Sequence, residues 1–320
     1  SKYGVAQTHH LHRARVMALC LAEDETLLYS VGKDSKLKVY SVAQRKQHRS
    51  AHLSELTLSS CVLAPGGGGS VAVGSWDNNV YMYSAKYGRV MDRVYAHDDA
   101  VSCLVSDGTR LLSGSWDSTV KVWAYRPSGL DKSAIAFYDL EDETQCLALP
   151  HMDPGDAAPS PNVCVAGSRD GSMSVLDLRA ERVMRVLNSH NECLTSLHLA
   201  RNGHFLLSSS LDGQVRLADL RKGELAHVDA PGGVLCLATD WDSVLVGCGD
   251  GVVRRSALST GGGRLVLEPL GTDILPHEGP VTCLAVSKQG RYVFTGGDDE
   301  RVHILKRDHK PAKPDEVSAE

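Results

Sequence analysis

Ser113-Gly-Ser-Trp-Asp117-Ser-Thr-Val-Lys-Val-Trp123 decides the fold, because the chain repeats it. Val73-Gly-Ser-Trp-Asp77-Asn-Asn-Val-Tyr-Met-Tyr83 echoes it most fully. Weaker echoes stand at Val31-Gly-Lys-Asp34, Ala166-Gly-Ser-Arg-Asp170, Ser209-Ser-Leu-Asp212, Gly247-Cys-Gly-Asp250 and Thr295-Gly-Gly-Asp-Asp299. Each aspartate precedes an alternating apolar stretch such as Leu37-Lys-Val-Tyr40 or Val302-His-Ile-Leu305. That period of two is the mark of a strand. A carboxylate suits the tight turn before it, where it can accept local backbone N–H groups. The seven aspartates lie 43, 40, 53, 42, 38 and 49 residues apart (34→77→117→170→212→250→299).

Four short strands in every 40–45 residues is the pattern of a WD repeat. The chain resembles that family, which implies an all-β, seven-bladed WD-repeat β-propeller. The last repeat supplies three strands, ending near Lys306, so the missing fourth is expected from Tyr3-Gly-Val-Ala-Gln7. The N-terminal strand then closes the ring and removes an open sheet edge. The expected bounds are a propeller over 1–309 and a polar tail over 310–320. The interval of 53 residues holds a Pro-rich insertion, 150–161, and the glycine runs 66–69 and 261–263 read as connectors.

The 320 residues carry 34 Lys+Arg against 39 Asp+Glu, a formal charge of −5. A nucleic-acid binder normally presents a basic face to phosphates, so none is expected as partner. No apolar run approaches the roughly 20 residues that span a bilayer, and the His-rich opening has no leader pattern. Nine cysteines without a Cys-x-x-Cys pair read as reduced thiols of a cytoplasmic protein. Cys61, Cys103, Cys146, Cys236 and Cys283 read as one repeated position, filled by Ala18 and Ser196 in the two remaining repeats. A thiol that exchanges with Ala and Ser is a small packing residue. No metal and no cofactor are expected.

His12, His97, His190 and His277 each stand four residues before a strand start, at Val16, Val101, Leu194 and Val281. His97, Ser113, Asp117 and Trp123 form the fullest set. It reads as a polar network tying one blade together. A hydrolase triad is the competing reading, but the set recurs in degraded form around the ring, with turn aspartates Asp34, Asp77, Asp170, Asp212, Asp250 and Asp299. No nucleophile or carboxylate pair stands outside that frame, so no catalytic residue is expected. The residues just before the turn aspartates should rim one face: Lys33, Trp76, Trp116, Arg169, Leu211, Gly249 and Asp298. Trp and Arg are enriched in interface hot spots. Trp76 and Trp116, flanked by Lys33 and Arg169 and with Asp98 and Asp99 beside them, are the candidate partner site. The alternative is that each indole covers its neighbouring turn.

Further motifs resemble the BEACH-domain family: Leu58-Ser-Ser-Cys-Val-Leu63, Gly74–Ser84, Gly88-Arg-Val-Met-Asp-Arg93, His97-Asp-Asp-Ala-Val-Ser102, Gly279-Pro-Val-Thr-Cys283 and Thr295–Asp299. Its members place a PH-like module and a BEACH domain before a propeller, and this chain then reads as the C-terminal part of a larger protein. The resemblance implies a non-enzymatic adaptor that links a receptor cytoplasmic tail (tumour necrosis factor receptor-like) to sphingomyelinase signalling or membrane traffic. Its expected partners are that tail, trafficking factors and its own BEACH domain, with peripheral membrane association through the full-length protein. Asp177-Leu-Arg179 and Asp219-Leu-Arg221 resemble the box by which some propellers dock onto cullin ubiquitin ligases, but Leu176 and Ala218 stand where Trp is expected. A strand-end ion pair is the plainer reading. Arg254-Arg255 lies within a strand and lacks the glycine of the phosphoinositide-binding pair.

Overall fold

The computed structural model describes residues 3–65, 69–126, 129–150, 162–200, 203–239, 243–261, 264–271 and 273–308. Most of the 150–161 insertion and the 310–320 tail thus lie outside the described residues.

Strands gather into seven antiparallel sheets in sequence order. Blade 1 runs Val16–Leu21, Leu27–Gly32, Lys36–Ser41, Lys46–His52, and blade 2 runs Leu58–Leu63, Ser70–Ser75, Asn79–Ser84, Arg89–Tyr95. Blade 3 runs Val101–Ser106, Arg110–Ser115, Thr119–Arg126, Ala136–Asp139, with a short extra strand at Gly129–Leu130. Blade 4 comprises Thr144–Ala148, Val163–Ser168, Ser172–Asp177 and Arg182–Asn188; blade 5 comprises Leu194–Leu199, Phe205–Ser210, Gln214–Asp219 and Gly223–Asp229. Blade 6 holds Val234–Thr239, Ser243–Cys248, Val253–Gly261 and Arg264–Pro269. Blade 7 takes Val281–Val286, Tyr292–Gly297 and Arg301–Arg307, and its fourth strand is Tyr3–His10 from the other end of the chain. The closing strand outruns the expected Tyr3–Gln7 and pairs from Tyr3↔Arg307 to His10↔Arg301. The first strands of neighbouring blades touch all the way round, blade 7 returning to blade 1.

The core follows from this ring. Seven apolar clusters form, one between each pair of neighbouring blades. Val80, Met82 and Ala72 of blade 2, for example, meet Val101, Leu104, Leu111 and Trp123 of blade 3. Second and third strands are covered on both faces, which is why runs such as Val71-Ala-Val and Val163-Cys-Val-Ala are apolar throughout. Outer strands are exposed, as Arg89–Tyr95 and Arg182–Asn188 show.

Every first strand carries a bulge after its first residue, between Val101 and Cys103 in blade 3 and likewise in the others. The bulge sets which side chain meets the second-strand glycine. Cys103, Cys146, Cys236 and Cys283 place Sγ where a Cβ on Gly114, Gly167, Gly247 or Gly296 would lie. In blade 2 that position belongs to Ser60, paired with Gly74, and Cys61 pairs with Val73. The sequence alignment of Cys61 with the other four was therefore one residue off. Cys61 occupies the place that blade 3 gives to Leu104. Burial pushes the Cys103 and Cys283 thiols up to about 12, so these sulfurs stay protonated and act as packing atoms.

Candidate protein-interaction face

One turn geometry recurs seven times. The aspartate Oδ1 accepts the N–H two residues on: Lys36 to Asp34, Asn79 to Asp77, Thr119 to Asp117, Ser172 to Asp170, Gln214 to Asp212, Val252 to Asp250 and Arg301 to Asp299. The residue between is left-handed in each: Ser35, Asn78, Ser118, Gly171, Gly213, Gly251 and Glu300. The residue before the aspartate donates its N–H to the loop preceding the first strand. Those bonds run Lys33→Arg15, Trp76→Thr57, Trp116→Ala100, Arg169→Glu143, Leu211→Cys193, Gly249→Gly233 and Asp298→Pro280. All seven turns and all seven loops therefore share one face.

Beneath it lie the histidine networks. His97 is buried; its Nδ1 faces Asp117 Oδ2 at 3.0 Å and Thr119 Oγ1 at 3.0 Å, and its Nε2 faces Ser113 Oγ at 2.7 Å. Trp123 Nε1–H donates to the same Ser113 oxygen at 2.9 Å. The Asp117 carboxylate facing Nδ1 can only accept, which favours the imidazole proton on Nδ1 and leaves Nε2 to accept from the Ser113 hydroxyl. Burial lowers the His97 pKa despite the opposing pull of Asp117. Burial raises the Asp117 carboxyl, but the Thr119 hydroxyl and the His97 charge outweigh it and the net shift is down. His12–Asp34–Ser30, His190–Asp212–Ser208 and His277–Asp299–Thr295 repeat the arrangement.

Blade 2 reaches the same end with other groups. Ser54, four residues before Leu58, donates to Asp77 at 2.7 Å and accepts from Ser75, and Tyr81 also donates to Asp77. The spacing that found the histidines could have found Ser54. In blade 4 Asp142 accepts the N–H of Asp170, and in blade 6 Arg254 holds Asp250 at 2.6 Å. Arg255 is buried against Ser243 Oγ. Asp219 pairs with Arg221 at 2.9 Å, and Asp177 accepts the N–H groups of Arg179 and Ala180.

On the face itself the indoles of Trp76 and Trp116 meet, ring centroids 5.1 Å apart at 48°. Both are half-buried. Lys33 Nζ lies 6.0 Å from the Trp76 ring, and Trp116 Nε1 donates to Gln145 Oε1 at 3.4 Å. One line of contact thus crosses blades 1 to 4. Arg169 does not join it, because Glu143 of its own blade holds the guanidinium at 3.0 Å. Asp98 and Asp99 are exposed in the loop whose Ala100 carbonyl accepts the Trp116 N–H. Glu55 and Glu141, in the equivalent loops of blades 2 and 4, are exposed too. Among the described residues this sector carries more acid than base. Leu211 of blade 5 is 43% exposed, and blade 6 offers Gly249.

The WD domain, G-beta repeat pattern matches residues 5–41, 88–124, 181–219 and 268–305. The chain is a seven-bladed propeller of WD40 repeats. Each matched WD40 repeat begins on the outer strand of one blade and ends on the third strand of the next, so the stagger itself closes the ring. Autophagy-related protein 16 of Arabidopsis thaliana is 23% identical over 294 residues, 88% of this chain and 54% of its own length. Eukaryotic translation initiation factor 3 subunit I of Anopheles gambiae is 22% identical over 312 residues, 92% of this chain and 94% of its own length. BEACH domain-containing protein B of Arabidopsis thaliana is 24% identical over 239 residues, 73% of this chain and 8% of its own length. The WD40 chain thus spans about half of the first relative and a small part of the third. Among the described residues no helix is long and apolar enough to cross a membrane.

Proposed function

We propose that this propeller is a non-catalytic scaffold that captures a protein segment on the face of the turn aspartates, with Trp76 and Trp116 as the anchor. One observation carries the reading: two half-buried indoles from neighbouring blades lie in contact where the loops converge. An aromatic pair of this kind offers a large rigid area at little entropy cost. Asp98, Asp99, Glu55 and Glu141 beside it favour a segment bearing Lys or Arg, by electrostatic steering. Lys33 orders the edge of the anchor, and Arg169 limits it at blade 4.

The finer reading is the propeller of a BEACH-family adaptor, comparable to the factor associated with neutral sphingomyelinase activation. It would join a tumour necrosis factor receptor-like tail to sphingomyelinase signalling, or trafficking factors to membranes, and dock its own BEACH domain. The similarity to BEACH domain-containing protein B supports it over 73% of this chain. Affinity capture from cytosolic and detergent-solubilised extract, comparing wild type with Trp76→Ala/Trp116→Ala, tests both levels. Receptor tails or trafficking factors lost selectively from the variant are the expected result. Cullin adaptors retained by both forms would replace this reading with that of a ubiquitin-ligase substrate receptor.

A further inference from the structure

The WD40 repeat predicts what each network position should hold, and blade 7 departs from it at His303. Four residues after the turn aspartate, the other histidine-bearing blades carry a cation: Lys38, Lys121 and Arg216. Lys121 reaches out to the Ala96 carbonyl at 2.8 Å. Blade 7 carries a neutral-capable ligand instead, and the side chain turns inward. His303 is 4% exposed. Its ring meets that of His277 edge-on, centroids 4.4 Å apart. Its Nδ1 is bonded to Thr8 Oγ1 of the closing strand at 2.8 Å, and its Nε2 is buried with no hydrogen-bond partner among the described residues. A buried ring nitrogen left unpaired carries a desolvation cost.

His277, Asp299 and His303 each bring one donor atom into a group that lies within 4.8 Å of one another. Two ligands of a tetrahedral ion with bonds of about 2.0–2.1 Å stand roughly 3.4 Å apart, so a modest rotation of the rings suffices. Gly297 flanks the group. A Cβ there would lie 2.3 Å from His277 Nδ1 and 2.7 Å from Asp299 Oδ1, so its absence leaves those two atoms uncovered on that side. His277 Nδ1 and Asp299 Oδ1 stand 2.8 Å apart, sharing the proton that the ion would displace. Thr295 Oγ1, 2.8 Å from Nε2, can accept from Nε2–H once the ion takes the place of the Nδ1 proton.

We propose that His277, Asp299 and His303 bind a divalent transition-metal ion of the zinc type, which clamps the closing strand to blade 7. The donors are His277 Nδ1, an Asp299 carboxylate oxygen and His303 Nε2, with water in the fourth position. Two imidazoles and a carboxylate suit zinc better than magnesium or calcium. His303 Nδ1–H then donates to Thr8 Oγ1, which fixes the ring as outer-shell partners of metal-bound histidines do. Through Thr8 the ion ties the first strand of the chain to its last. No other described His-bearing blade carries a metal-ligating side chain at this position.

The test is cobalt and zinc titration of the whole chain, read by the ligand-field absorption of Co2+ and by thermal melting in Zn2+. Wild type should take up a single ion and melt about 5 °C higher at a hundredfold excess over the dissociation constant. His303→Lys, which installs the residue type of Lys121, should lose the absorption and the shift while its metal-free melting stays within about 2 °C of wild type. If that variant folds poorly, His303→Gln serves the same readout. An ion that binds His303→Lys as tightly as wild type overturns the proposal. So does loss of binding in His10→Gln, which would place the ion on the exposed N-terminal histidines. Failure of wild type to bind either metal overturns it outright.

Discussion

Truncating Tyr3 asks whether the ring is held shut by the chain's first strand. The side chain is 6% exposed and packs with Leu245 and Val253 of blade 6 and Val293 and Leu305 of blade 7. Its hydroxyl donates to the Gly290 carbonyl at 2.7 Å, and the guanidinium groups of Arg255 and Arg307 lie 5.7 and 6.0 Å from the ring. Removing a buried aromatic ring costs about 3–5 kcal/mol, and the hydroxyl bond adds about 1 kcal/mol. Tyr3→Ala should therefore destabilise by roughly 4 kcal/mol, and Tyr3→Phe by about 1 kcal/mol. At roughly 2 °C per kcal/mol for a chain of this size, Tyr3→Ala should melt about 8 °C below wild type. Val5→Ala, on the same strand but 47% exposed, should change little. Melting followed by circular dichroism or calorimetry reads all three. A Tyr3→Ala protein within about 2 °C of wild type would refute the role given to this strand.

Removing residues 1–8 altogether should lower melting further and promote association, since Arg301–Arg307 would become an open edge; a monomer with unchanged melting contradicts this. Gly171→Ala should cost about 2–3 kcal/mol in a denaturant melt, because the added Cβ would meet the His190 carbonyl oxygen at 2.4 Å at a φ of +88°. Ser118→Gly, at φ +65°, should instead be neutral or stabilising by up to about 1 kcal/mol. Burial holds the His97 pKa below 6.5, so the unfolded chain takes up that proton first. Stability should be full above pH 6.5 and decline as pH falls below it. Melting at pH 7.5 and 5.5 checks the sign, and His97→Gln should show a smaller drop.

Periodicity made the ring legible, because a turn aspartate and a strand pair recur wherever a blade must recur. The partnership of Tyr3–His10 with Arg301–Arg307 was also readable, from a blade short of one strand. What the residue types concealed was the place of blade 2's thiol. Counted from the strand start, Leu58 corresponds to Val101 and Val281, so the position facing glycine falls on Ser60, and Cys61, matched by residue type alone, lies one residue on. The candidate face was partly legible. Trp76, Trp116 and Lys33 come from equivalent positions and meet as neighbours, whereas Arg169 is held by Glu143, an ion pair that a repeat pattern does not encode. His303 is masked in the sequence by the alternation of Val302-His-Ile-Leu305, where it stands as one residue of a strand. Its singularity lies in the cations Lys38, Lys121 and Arg216 that hold the same place in the other histidine-bearing blades.

Two surfaces of this molecule present aromatic or apolar groups on which the proposed partner could sit. One is the face around Trp76 and Trp116. The other is the outer rim, where Tyr95 is 63%, Phe137 61% and Met184 53% exposed. Hydrogen exchange of the propeller with and without a captured partner separates them most directly. The account predicts slowed exchange in the turns at 76–78 and 116–118 and in the loop at 98–100, with the outer strands Arg89–Tyr95 and Arg182–Asn188 unchanged. Protection of those outer strands, with the indole turns unaffected, would contradict it.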